Sequence, residues 1–260
     1  MKITMIGSGR VATHLALALQ HQHQIVQVFS RQLAHAEKLA QQLDAQAISS
    51  PAQLDPQVDL VIVTVSDQAI SEVVQAITGY LPQNLIIHTS GSTNLTVIED
   101  MHARAGVFYP LQTFSFEREV DWLETPLFVE AAQQQDLETL IQLANSLSNR
   151  VYQYNSKQRQ TLHLAAVFAC NFSNYCYDMA QQIVDAEQVD FSLLYPLILE
   201  TADKATKNNP KTMQTGPAMR GDQNILQMHG QLLARADRKD LQDIYALLSE
   251  GIFKRHQING

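Results

Sequence analysis

At 260 residues the chain has room for one large or two moderate domains, and its 45% hydrophobic and 17% charged content supports a sizeable core with no signature of disorder. A formal net charge of −8 excludes the basic face that a nucleic-acid partner requires, although it leaves a locally built anion site open. No apolar run approaches the length of a membrane span. The opening residues read as a core strand rather than a removable signal peptide, and a cysteine content limited to Cys170 and Cys176 points to a reduced, cytoplasmic setting.

The apolar strand Lys2–Ile6 runs directly into Gly7-Ser8-Gly9-Arg10-Val11-Ala12, a G-x-G-x-x-A loop ahead of an amphipathic stretch carrying Leu15, Leu17 and Leu19. In a βαβ unit the first glycine allows the tight turn and the second lets the backbone approach a pyrophosphate. The alanine keeps helix and strand close, and the helix N-terminus offers free N–H donors to the anion. Gly7, Ser8, Gly9, Arg10 and Val11 are therefore candidate cofactor contacts. A second strand, Ile25–Phe29, ends at Ser30-Arg31, and no acidic residue precedes Glu37. An NAD site places Asp or Glu there to hold the ribose hydroxyls. A hydroxyl and a guanidinium suit a 2′-phosphate instead, so Ser30 and Arg31 point to NADP.

Further β-branched runs follow at Asp59–Val65, Leu85–Ser90, Gly106–Tyr109, Leu127–Glu130 and Val151–Tyr154, with helical stretches near 32–43, 68–81, 93–104 and 133–148. Continuous rather than alternating apolar strands suit a parallel sheet buried on both faces. The expected fold class is α/β, a doubly wound Rossmann-like sheet over 1–155, followed by an all-helical domain over 156–260. Residues 156–186 read as one long helix, apolar nearly all round, and helices near 191–208, 223–236 and 239–256 complete the chain. The Gln20-His21-Gln22-His23-Gln24 and Gln133–Gln135 runs read as a solvated turn and a helix start.

Ligands in a doubly wound sheet lie beyond the carboxyl ends of the strands. Val65, Ser66 and Asp67 end one strand and are expected along the cofactor, with Asp67 also placed to cap a helix. Ser90, in His88-Thr89-Ser90-Gly91-Ser92, ends the next, and Tyr109-Pro110-Leu111-Gln112-Thr113 ends the one after. His88, inside an apolar strand, reads as a satisfied core residue before it reads as a catalyst. On the long helix His163 and Asn171 interrupt the apolar surface about 80° apart at α-helical spacing, close enough to address one cleft. Arg220 sits in the stiff stretch Thr215-Gly216-Pro217-Ala218-Met219-Arg220-Gly221-Asp222, suited to a substrate carboxylate or to a buried ion pair with Asp222.

Together the glycine loop, His88–Gly91, Tyr109–Phe114 and the T-G-P-x-x-R-G-D stretch resemble a bacterial family of NADP oxidoreductases that joins a Rossmann-like domain to a C-terminal helical domain of unknown function. Nearly the whole chain is covered, and T-G-P-x-x-R-G-D is the most specific part. Pyrroline-5-carboxylate reductase, prephenate dehydrogenase and the F420-dependent NADP reductases are wider relatives. The resemblance implies architecture and cofactor class rather than substrate. In related β-hydroxyacid dehydrogenases a catalytic lysine lies four residues before a helical asparagine; aligned on Asn171, that position is Val167, so the lysine mechanism does not carry over.

The resulting expectation is an NADP(H)-dependent oxidoreductase for a small anionic substrate, of keto-acid or imine class, held in a cleft between the domains. His163 is the acid/base, Asn171 the orienter and Arg220 the anion clamp. A homodimer through 156–186 follows from the helix's apolar circumference, and no metal, nucleic acid or membrane is expected. An NADP-binding sensor with a helical dimerisation domain is the alternative, and a deazaflavin as second redox partner a third reading.

Overall fold

The computed structural model describes residues 1–257. Its chain divides into two compact units that meet at Ala169 and Cys170. The first opens with β1 (Lys2–Ile6), α1 (Arg10–Leu19), β2 (Gln24–Phe29), α2 (Leu33–Leu43) and β3 (Gln46–Ile48). It continues through β4 (Leu60–Val63), α3 (Ile70–Ile77), β5 (Leu85–His88), α4 (Thr96–Glu99), β6 (Ala105–Pro110), β7 (Leu127–Ala131), α5 (Gln134–Asn145), β8 (Val151–Gln153) and α6 (Ser156–Ala166).

The strands form one eight-stranded sheet in the order β3-β2-β1-β4-β5-β6-β7-β8. The chain reverses direction across the sheet between β1 and β4, so the crevice at their carboxyl ends is the topological switch point where such sheets bind dinucleotides. Pairing is parallel throughout except that β7 runs antiparallel to β6, with Phe108 opposite Val129. This departs from the all-parallel reading for a physical reason. A parallel return needs a crossover element, and residues 111–126 carry no helix, so the chain comes back the other way. β3 escaped the sequence reading because three residues with a polar start make no recognisable apolar run.

Alternation along the strands feeds two cores. Ile3, Met5, Ile62 and Phe108 face one side with Leu15, Leu39 and Leu140 of α1, α2 and α5. Ile6, Val61, Val63 and Val107 face the other with Ile70 and Val74 of α3 and Ile98 of α4. The helix expected over 93–104 is reduced to the single turn of α4, because local side chains satisfy its backbone instead. Ser90 Oγ accepts from Ser92 N and Thr93 N at 3.1 and 2.9 Å, and Asn94 Oδ1 accepts from Thr96 N at 3.1 Å.

The long helical stretch exists but is not uniform: α6 passes into a π-helical segment, Val167–Phe172, and then α7 (Ser173–Asp185). α6 belongs to the sheet unit, whereas the sequence reading begins the helical part at Ser156. The second unit continues with α8 (Tyr195–Lys207), α9 (Pro217–Arg220), α10 (Gln223–Arg235) and α11 (Lys239–Gln257). Among the described residues no helix is long and apolar enough to cross a membrane.

Candidate functional site

Gly7 ends β1 with φ 113°, a conformation that disfavours any side chain, and a Cβ there would lie 2.6 Å from Thr64 Oγ1. Its N–H donates to Phe29 O at 2.8 Å, and Thr64 N donates to Ile6 O at 2.8 Å, so the turn is pinned to the strands on both sides. Gly9, at the N-cap of α1, has the opposite surroundings: nothing lies within 4 Å of a Cβ built on it. The first turn of α1 carries no acidic residue and no side-chain cap. Its N–H donors therefore face open space, the arrangement that receives a pyrophosphate.

Beside the loop lies a cleft of about 480 Å³ lined by Gly7, Ser8, Gly9, Ser30, Arg31, His35, Val65 and Ser66, among others. No carboxylate is among its lining residues. Arg31 is exposed and, among the described residues, engaged in no ion pair. An adenosine 2′-phosphate is dianionic, and a cleft with a free guanidinium and no carboxylate matches it where an NAD site would repel it. The residues present thus fit NADP. Val11 follows Arg10 in the first turn of α1, and the Arg10 guanidinium lies 5.7 Å from the centroid of the Phe116 ring, on the loop between β6 and β7.

Across the switch point the carboxyl ends of β4, β5 and β6 converge. Ser66 takes the cap position of a short 3₁₀ turn, and Asp67 begins it. The Asp67 carboxylate does not cap backbone; it accepts the Ser92 hydroxyl. Ser90 is buried with its hydroxyl holding the 90–93 turn, and its N–H donates to His88 Nδ1 at 3.1 Å. His88 itself is fully buried, and its Nε2 has no hydrogen-bond partner among the described residues. Burial, with a smaller push from the Arg159 charge, lowers its pKa to about 3 against the opposing pulls of Asp67 and the Asn94 backbone. It is a neutral core histidine, but only half of the satisfied one that its strand position implies, because Nδ1 has a partner and Nε2 has none among the described residues.

The groups best placed for proton transfer lie one layer out. Tyr109, at the end of β6 and 8% exposed, brings its hydroxyl to 3.1 Å from His163 Nδ1 on α6. The rings meet edge to face, 6.0 Å apart at 73°. Gly91 closes the third side: a Cβ there would fall 2.6 Å from His163 Nδ1 and 2.7 Å from Tyr109 Cζ.

α6 is fastened so that this geometry holds. Arg159, one turn before His163 and wholly buried, pairs with Glu130 of β7 and donates to the Thr93 carbonyl. Glu130 in turn accepts from Ser156 N and Ser156 Oγ at 2.9 and 2.8 Å, and Gln160 Nε2 donates to Ser92 O at 2.8 Å. Sequence reasoning missed Glu130 and Arg159. The only available signals were an acid ending an apolar strand and an arginine in a polar helix start, both of which ordinarily mean solvent.

Asn171 lies exposed in the π segment. Arg220 ends α9, whose flanking Gly216 and Gly221 have φ 104° and 74°, as the stiffness of that stretch implies. Its guanidinium pairs with Asp222 at 2.8 Å, in an exposed rather than buried ion pair, and so Asp222 holds the N-cap position of α10 without a side-chain cap bond. Both cysteines are free and exposed. Among the described residues no group of His, Cys, Asp or Glu is placed to hold a metal ion.

A switch-point cleft with an open helix N-terminus and no carboxylate defines a dinucleotide-binding protein of the Rossmann type. Residues 2–91 match the family model described as NADP oxidoreductase, coenzyme F420-dependent, and residues 125–252 match the domain of unknown function DUF2520. A Bacteroides fragilis protein whose provisional description is NADP oxidoreductase is 43% identical, with 97% of this chain and 98% of that one aligned at a TM-score of 0.91. The chain belongs to that family of NADP oxidoreductases, and NADP is its cofactor. An imine reductase from Myxococcus stipitatus in complex with NADP⁺ shares the fold at 15% identity, 100% and 95% coverage and a TM-score of 0.74. So does 1-pyrroline-5-carboxylate reductase from Streptococcus pyogenes, at 17% identity, 99% and 98% coverage and a TM-score of 0.60. No curated protein matches the sequence.

Proposed function

We propose that the protein reduces or oxidises a small anionic substrate of keto-acid or imine class with NADP(H), working in the cytoplasm. The observation that carries this reading is the juxtaposition, at the carboxyl ends of one sheet, of a carboxylate-free cleft beside the glycine loop and a fastened histidine beyond it. NADPH would supply the hydride when bound. Gly7, Ser8, Gly9 and Val11 would take the pyrophosphate, with Arg10 beside it, and Ser30 and Arg31 the 2′-phosphate. Val65, Ser66, Asp67 and Ser90 would line the ribose and nicotinamide half.

His163 would then give a proton to the carbonyl oxygen or imine nitrogen in the reductive direction and take it back in the oxidative one. Asn171 and Arg220 keep, within this proposal, the roles of orienter and anion clamp. Arg220 would exchange its exposed Asp222 partner for a substrate carboxylate. A second copy of the chain is proposed as partner, because Phe168 and Phe172 in the 156–186 stretch are 63% and 48% exposed.

An NADPH-oxidation screen of keto acids and cyclic imines tests the reaction. Turnover of one such substrate, lost in His163→Ala, supports it. NADPH binding without turnover across both classes favours the sensor reading.

A further inference from the structure

We infer that Tyr109 is a positioning residue for proton transfer: its phenol oxygen holds the proton of His163 on Nδ1, leaving Nε2 as the nitrogen that exchanges with substrate. This rests on the reading of His163 as acid/base. A histidine that must deliver a proton from one nitrogen needs the other occupied in a defined way, since the two neutral tautomers are otherwise close in energy. Nδ1 has that partner, the Tyr109 hydroxyl at 3.1 Å, and Tyr109 is held by its own burial at the end of β6. The phenol oxygen accepts from Nδ1–H whether the ring is charged or neutral, so one hydrogen bond serves both halves of the cycle.

The surroundings enforce the pairing. Gly91 leaves no room for a side chain beside Nδ1, so the contact with Tyr109 is kept tight. The Arg159 pair with Glu130 and the bond from Gln160 to Ser92 fix the turn of α6 from which His163 projects. In the reductive direction imidazolium Nε2–H passes its proton to the substrate oxygen or nitrogen while hydride adds to the neighbouring carbon. The ring remains neutral with its proton on Nδ1, and a solvent proton restores Nε2–H. Tyr109 gains and loses nothing. It selects the nitrogen.

Two-bond proton–nitrogen spectra of the protein without cofactor, labelled at histidine, read the tautomer directly. The neutral His163 ring should carry its proton on Nδ1 in the wild type, and Tyr109→Phe, which keeps the ring and removes the acceptor, should move it toward Nε2. Gly91→Ala should do the same by forcing the pair apart. With an active substrate, Tyr109→Phe should lower kcat about tenfold or more with KM little changed, since the loss falls on proton transfer rather than binding. An Nε2–H tautomer in the wild type, or a tautomer unmoved by Tyr109→Phe, overturns the inference. Full activity in His163→Ala overturns the acid/base reading beneath it, a separate result from the tautomer measurement.

Discussion

In the sheet unit His88 and Arg159 are fully buried alongside Phe108 and Ile62. In the helical unit Met179, Ala218 and Leu241 are the buried apolar side chains among the described residues, and Leu193, Leu199 and Leu247 are 71%, 70% and 69% exposed. Their charges differ in the same way. Arg159 is buried against a partly buried Glu130, while Lys204–Glu200, Lys207–Asp203 and Lys239–Asp243 are exposed pairs one helical turn apart, each worth a few tenths of a kcal/mol. The first unit closes its own core and can carry polar groups inside it. The second presents its apolar surface outward. Charge and acid should therefore damage the first unit, and surface substitutions should matter in the second only through a partner.

Acid gives the largest expected effect. The His88 pKa is lowered from 6.5 to about 3 in the folded chain, so the unfolded chain binds more protons between those values. Stability is whole above pH 6.5 and falls as pH drops toward 3, by on the order of 4–5 kcal/mol from this group alone. Asn can accept the Ser90 N–H that His88 Nδ1 now accepts, without titrating. Urea midpoints compared at pH 7 and pH 4 should fall markedly in the wild type and less in His88→Asn. Parallel losses in the two proteins would show that His88 takes up its proton without cost.

Next is the buried ion pair. Glu130→Ala leaves the Arg159 charge desolvated and without its carboxylate, and should cost about 3–5 kcal/mol. A loss below about 1 kcal/mol in urea unfolding, the range of an exposed pair, would mean that the α6 attachment is held by packing. In the helical unit, Tyr175→Glu and Ile183→Glu, at exposed positions of α7 within the 156–186 stretch, should leave the fold intact by circular dichroism. They should weaken self-association about 100-fold, as charges placed in an apolar interface do. Light scattering at micromolar concentration reads this directly, and a wild-type monomer would remove the partner from the comparison.

Local signals were the legible ones. The glycine loop could be read because a positive-φ glycine and an open N-cap are written into residues two apart, Gly7 and Gly9. The strands could be read because burial on both faces demands unbroken apolar runs. Arg159 and Glu130 could not be recognised as a pair, nor Tyr109 and His163. Their partners lie 29 and 54 residues apart, and only the closing of β6, β7 and α6 on one another brings them together. The π segment at 167–172 was equally hidden. It begins after His163 and contains Asn171, so the count of 100° per residue that gives them a common face is interrupted by backbone hydrogen bonding that no residue type announces.

The smallest expected effect tests the cofactor end of the sheet unit, where charge is exposed rather than buried. Arg31 lies at the rim of the cleft beside Ser30, with no carboxylate among the lining residues and, among the described residues, no ion pair of its own. Its interaction with a 2′-phosphate is screened by solvent, so Arg31→Ala should cost NADPH roughly tenfold in affinity, about 1.4 kcal/mol, rather than abolish binding. NADH lacks the phosphate and should bind the variant as it binds the wild type, so the gap between the two cofactors narrows from one side only. Calorimetry with both cofactors on both proteins measures the gap. If NADH and NADPH lose affinity equally, Arg31 holds the adenosine by stacking or shape and the phosphate is read elsewhere. If neither loses any, Ser30 and the α1 N-terminus carry the anion without it.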